Sequence, residues 1–96
     1  MNTSPLYLTT LTDQLEAARQ LVEAGADVNI RTRDGRTPLF PAAEDGYLDI
    51  IDLLVKHGAD VSARDANGKT ASERALENEQ VEAARVLREA QVGESS

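Results

Sequence analysis

Between Leu48 and Val55 the apolar positions fall at 48, 51, 54 and 55, with Ile50 and Leu53 beside them. That stripe is too wide for the strict alternation of a half-buried strand and has the spacing of a helix. Lys56 and His57 stand in what would be its last turn, where positive charge suits the helix dipole, and Gly58 lies just past its end. Upstream, Thr37-Pro38-Leu39 reads as a helix start. The Thr37 hydroxyl can accept from an orphan backbone N–H, and the missing N–H of Pro38 costs nothing at the first helical position. Ala42 and Ala43 give this shorter helix, about two turns long, a shallow face that a neighbour can approach closely. Gly46 is suited to end it in a left-handed conformation. The pattern predicts an antiparallel helix pair.

The pair recurs. Gly25-Ala26-Asp27-Val28 returns as Gly58-Ala59-Asp60-Val61, and Gly35-Arg36-Thr37 returns as Gly68-Lys69-Thr70, each 33 residues later and without a gap. Carried backwards, the period places Ser4-Pro5-Leu6-Tyr7 under Thr37-Pro38-Leu39-Phe40, with Ser4 as the helix cap. One domain, residues 1–96, is thereby divided into units of about 1–30, 31–63 and 64–92 with a short polar tail at 93–96. The last unit's second helix is expected from Val81 to Ala90. Between the helix pairs, Val28 leads to Asp34-Gly35 and Val61 to Asn67-Gly68. These are strong two-residue turn signals and predict hairpin-like fingers.

Helix, helix and finger at this period resemble the ankyrin repeat. The residues that carry the resemblance are Gly35-x-Thr37-Pro38-Leu39-x-x-Ala42-Ala43-x-x-Gly46 and Leu53-Leu54-x-x-x-Gly58-Ala59-Asp60-Val61. It covers essentially the whole chain, most closely in the middle unit. The resemblance implies an all-α solenoid of helix-turn-helix units joined by β-hairpin-like fingers. It also implies that the fingers and first helices form a concave face that binds another protein. Carried onto this chain, that face comprises Arg31, Arg33, Asp34 and Arg36 in the first finger and Arg64, Ala66, Asn67 and Lys69 in the second. Glu44, Asp45, Glu77 and Asn78, at the ends of first helices, complete it.

Three departures from the family pattern stand out. Phe40 occupies the place of the histidine in the family motif Thr-Pro-Leu-His, and Tyr7 and Glu73 hold the matching places, so no unit has that imidazole. Packing of Phe40 against Tyr7 is the expected substitute. Pro41, as the fourth helical residue, removes the first internal rung and restricts Phe40, so a local distortion is expected there. Phe40 and Pro41 either shape a binding surface or form a tolerated irregular start. Finally, the outer units carry replacements that suit end caps. Gln20 stands where Leu53 does, Thr9-Thr10 replace the alanine pair, and Thr70 and Glu73 are spaced as a capping box.

Composition narrows the function. With only Tyr7, Phe40 and Tyr47 as aromatics, the core must be built from aliphatic side chains. The absence of cysteine excludes disulfides, a thiolate zinc site and a cysteine nucleophile, and suits a reducing compartment, so a cytoplasmic location is expected. No run of about 18 apolar residues could span a bilayer, and MNTSPLYL lacks the character of a signal peptide. A net charge of −7 repels phosphate backbones and anionic membranes, so neither nucleic acid nor membrane is an expected partner.

His57 is the single histidine, and no triad can be assembled around it. Asp27 and Asp60 belong to the repeating turn, where bonds to nearby backbone account for them. No catalytic residue, cofactor or metal is expected. Half of the ten basic residues, namely Arg31, Arg33, Arg36, Arg64 and Lys69, fall in the fingers, facing the acidic Glu44, Asp45 and Glu77. The expectation is a non-catalytic module that binds an unidentified protein of acidic or mixed charge. A self-associating or structural module, with Phe40 or Tyr7 partly exposed, is the alternative to a monomer.

Overall fold

The computed structural model describes residues 4–95. Its helices are α1 (Pro5–Leu11), α2 (Leu15–Glu23), α3 (Leu39–Asp45), α4 (Leu48–Lys56), α5 (Ala71–Glu77) and α6 (Val81–Ser95). No strand forms among the described residues, and one isolated bridge joins Arg64 to Thr70 in the second finger. Each unit is a helix pair. The first helices α1, α3 and α5 stack on one another, and α2, α4 and α6 stack behind them. A single apolar cluster runs through all three units, from Leu6 and Val22 through Leu39, Ile51 and Leu54 to Leu87. Ala42, Ala43, Ala71 and Ala75 are buried where α3 meets α5, which is why those helices can lie so close.

Local signals explain the starts of the first helices in the two outer units. The Ser4 side chain accepts from the backbone N–H of Tyr7, and Thr70 and Glu73 form the expected capping box. The middle unit differs. Its helix begins at Leu39 rather than Pro38, and no side chain caps it. Pro41 has no N–H to offer the Thr37 carbonyl, so the Phe40 N–H bonds to that carbonyl instead at 3.0 Å, a tighter first turn. This is the expected distortion, but it is buried: Phe40 and Pro41 are both fully enclosed and shape no surface.

Gly46 closes α3 at φ 73°, and a side chain there would collide with that of Gln80. One period away on either side, the same left-handed corner is made by Asp13 at φ 55° and Glu79 at φ 63°. The fold therefore imposes the conformation on residues that carry a Cβ, at a cost of about 1–2 kcal/mol each. In the fingers only Gly35 and Gly68 have positive φ, whereas Asp34 and Asn67 do not. The type I′ turn, which needs two such residues, is thus not the one formed. In its place the glycine N–H closes back on Thr32 or Asp65, each at 2.9 Å.

The two ends differ. Gln20 is exposed on the first unit, as suits a cap, but Thr10 is fully buried and its hydroxyl donates to the Tyr7 carbonyl at 2.8 Å. The last unit is a poor cap, because it leaves Leu76, Val81 and Val92 exposed. Helix α6 also runs on to Ser95, past the expected end at Ala90 and through most of the expected tail, since neither Gly nor Pro interrupts residues 90–92. Ser96 lies outside the described residues.

Candidate protein-binding surface

The finger charges are largely committed to the scaffold. Arg36 donates to both Glu44 carboxylate oxygens, at 2.9 and 2.6 Å, and its Nε donates to the Tyr7 hydroxyl at 2.9 Å. Its guanidinium carbon also lies 5.3 Å from the Phe40 ring centroid. The two side chains are only 20% and 24% exposed. Hydrogen bonding to Glu44 outweighs the effect of burial and, with the Tyr7 contact, raises the Arg36 pKa above its ordinary value. The substitute for the missing histidine is therefore an arginine that joins both aromatics, Tyr7 of the first unit and Phe40 of the second. Both rings are buried, so neither offers an exposed aromatic for self-association.

One period later the same strut returns as Lys69 and Glu77, 2.5 Å apart. Each strut fastens a finger to the far end of the helix that follows it. The second is reinforced by Arg74, whose Nε donates to Asp65 Oδ2 at 2.9 Å while its Nη1 donates to Glu77 Oε1 at 3.0 Å. Asp65 is buried and its Oδ1 accepts from the N–H groups of Asn67 and Lys69. Desolvation opposes its charge, but those N–H donors and Arg74 prevail and hold its carboxyl below the usual value. Hydrogen bonds from Lys69 and then Arg74 likewise lower that of Glu77.

The fingers are also tied to each other. Arg31 donates to the carbonyls of Gly35 and Arg64, at 3.0 and 2.9 Å, and Arg64 repeats the first of these bonds on Gly68 at 2.8 Å. The Ala66 N–H donates to the Asp34 carbonyl at 2.8 Å, an approach for which Gly35 leaves room. Asn29, which the sequence did not mark, bridges the first two units by donating to the Gly58 carbonyl and accepting from the Asp60 N–H. Its period mate is Ser62, so repeat comparison gives it no emphasis. Asp27 and Asp60 accept from backbone N–H groups two residues on, as their turns require.

Of the twelve positions the resemblance implies, Arg36, Glu44, Lys69 and Glu77 are thus paired with one another. Arg33 is exposed, and its side chain makes no ion pair or hydrogen bond among the described residues. Asp34, Ala66 and Asn67 line a cleft of ≈ 320 Å³ between the fingers, together with Arg36, Asp65 and Arg74. Asp45 lies beside the Tyr47 hydroxyl, whose pKa is raised by burial and by the carboxylates of Asp45 and Asp13. Asn78 ends α5 and donates to the Arg74 carbonyl at 3.2 Å. The first unit breaks the pattern: Leu8 and Leu11, 51% and 43% exposed, occupy the places of Pro41 and Glu44. The ion-pair ladder therefore ends in an apolar patch, which sequence reading could have found by aligning those positions. Among the described residues, no group of three or more His, Cys, Asp or Glu is arranged to hold a metal ion.

A family model described as ankyrin repeats, in three copies, matches residues 6–95. NF-kappa-B inhibitor alpha of Gallus gallus is 42% identical over 48 residues, which are 50% of this chain and 15% of that protein. The protein of the same name from Sus scrofa is 47% identical over 45 residues, 47% of this chain and 14% of its own length. A putative ankyrin repeat protein of Rickettsia felis is 48% identical over 42 residues, 44% of this chain and 67% of that one. The matched stretch is a small part of either inhibitor.

Proposed function

Because the chain belongs to the ankyrin repeat family, whose repeats are in general protein–protein interaction modules, we propose that it binds another protein through its fingers and concave face and catalyses nothing itself. The observation that carries this reading is the clamping of both fingers. Bonds between fingers and struts to α3 and α5 hold the surface in one shape before any partner arrives. Less ordering then remains to be done on binding. Within that fixed frame, Arg33 and the cleft residues Asp34 and Asn67 are the groups free to contact a partner, and the unpaired Arg33 suits an acidic or mixed-charge surface. The relatives named as inhibitors of NF-kappa-B support the class of function, namely action on another molecule by binding, and leave the partner open. A cytoplasmic location fits the absence of cysteine.

Affinity capture from source-cell extract, with mass spectrometry of what is retained, supplies the partner. Association kinetics with the Arg33→Glu variant then test the surface. Arg33 supports no internal bond, so the variant should keep its folding stability while associating more slowly and with a flatter salt dependence. Unchanged kinetics would place the partner elsewhere.

A further inference from the structure

We propose that Arg31 and Arg64 together receive an extended acidic segment of the partner protein, one that carries a carboxylate at every third residue. The inference rests on the reading of the fingers as the binding face and names what that face recognises. Among the basic residues of the fingers, Arg36 and Lys69 are neutralised by their struts to Glu44 and Glu77. Arg31, Arg33 and Arg64 are exposed and make no ion pair among the described residues. Unlike Arg33, Arg31 and Arg64 are fixed, and in the same way. Nη1 of Arg31 donates to the Gly35 carbonyl at 3.0 Å, and Nη1 of Arg64 donates to the Gly68 carbonyl at 2.8 Å. The same Nη1 of Arg31 reaches the Arg64 carbonyl at 2.9 Å and sets the two fingers side by side. Nε and Nη2 of each guanidinium have no partner among the described residues. That edge is a fork able to hold a carboxylate through two parallel bonds. In Arg31 it stays free even with a following finger in place.

The spacing of the forks selects the occupant. Packed helices lie about 8–10 Å apart, so stacked units set the two forks about one such distance from each other. A polyproline-II segment has three residues per turn and rises about 3.1 Å per residue, which puts residues i and i+3 on one face about 9 Å apart. Carboxylates at those positions meet both forks at once. In a β-strand the same two side chains point to opposite faces. The polyproline-II form is already populated in unstructured chains, so such a segment needs little ordering to bind. Arg33 adds positive charge on the same finger. The exposed Asp34 and the net charge of −7 oppose a continuous polyanion, which favours spaced carboxylates over a phosphate backbone.

Titration of the labelled full chain with two synthetic proline-rich peptides tests this. Each peptide carries two glutamates, at i and i+3 in one and at i and i+2 in the other. The Nε–Hε NMR signals of Arg31 and Arg64 should both shift with the first peptide. The second, of equal charge, should bind about threefold or more weakly, the worth of one exposed ion pair. Glutamine in place of either glutamate of the first peptide should cost a similar factor, a comparison that leaves the protein untouched. Arg64→Gln, with the amide spectrum showing a folded chain, should abolish the preference for three-residue spacing. Equal binding of the two spacings, or tighter binding of a thymidine oligonucleotide of equal charge, would overturn the proposal. Association of the captured partner separates the proposal from the reading it rests on. Slowing by Arg33→Glu but not by Arg64→Gln contradicts the acidic-segment anchor alone, whereas indifference to both contradicts the finger surface itself.

Discussion

Arg36 spans what the family's histidine leaves vacant. Its side chain holds Glu44 at the end of its own first helix, the Tyr7 hydroxyl in the preceding unit and the Phe40 ring behind it. Because the pair is mostly enclosed, Glu44→Ala leaves a guanidinium with two unsatisfied donors and should lower stability by about 1–2 kcal/mol, read from urea unfolding. An exposed acid such as Asp49, replaced in the same way, should change little. These links were not visible in the sequence, since partners eight residues apart across a finger follow no helical spacing. Four of the charges assigned to the binding face, Arg36, Glu44, Lys69 and Glu77, are also paired with one another. The acid limb of stability belongs at this scale too. Asp65 and Glu77 have carboxyl pKa values below the ordinary ones in the folded protein. Their contribution is complete above the unfolded carboxylate range and is lost as pH falls below about 4. Thermal melts across that range should show the loss, and Asp65→Asn should make the curve shallower.

At the scale of the element, repetition outweighs local preference. Each helix pair turns through a left-handed residue, yet only the middle unit supplies a glycine, and the exposed Asp13 and Glu79 are held there by backbone bonds back to the first helix, from Gln14 to Thr9 and from Gln80 to Ala75. Glu79→Gly should therefore stabilise the last unit by up to about 1 kcal/mol. The change should appear as a raised melting temperature and slower amide exchange in α6, and a lowered melting temperature would show that Glu79 is not strained. The helices themselves were legible: periodic apolar stripes, the cap at Ser4, the box at Thr70 and Glu73, and Gly46 all act as their chemistry dictates. What escaped reading was conformational choice without a marker residue, as in the corners at 13 and 79. The finger turns escaped for a related reason, because one left-handed glycine suffices where the Asp-Gly and Asn-Gly signals suggest two.

The whole molecule is a short stack with one clamped face and two unequal ends. The period alone predicts the stacking, because three identical offsets can be satisfied together only by units that repeat in space. It does not predict which end faces are finished. That depends on summed exposure, and Leu76, Val81 and Val92 look like ordinary helix residues until the fold leaves them exposed. The clamped face is the one proposed to meet the partner, and its rigidity is the feature shared by all the bonds that hold the fingers.

Amide NMR spectra of labelled protein, recorded as the captured partner is added, test that claim most directly. Binding at the fingers predicts perturbations concentrated at residues 31–36 and 64–69 and at the ends of α3 and α5, with α2, α4 and α6 little changed. Perturbations confined to α2, α4 and α6, with the finger signals unmoved, would contradict it.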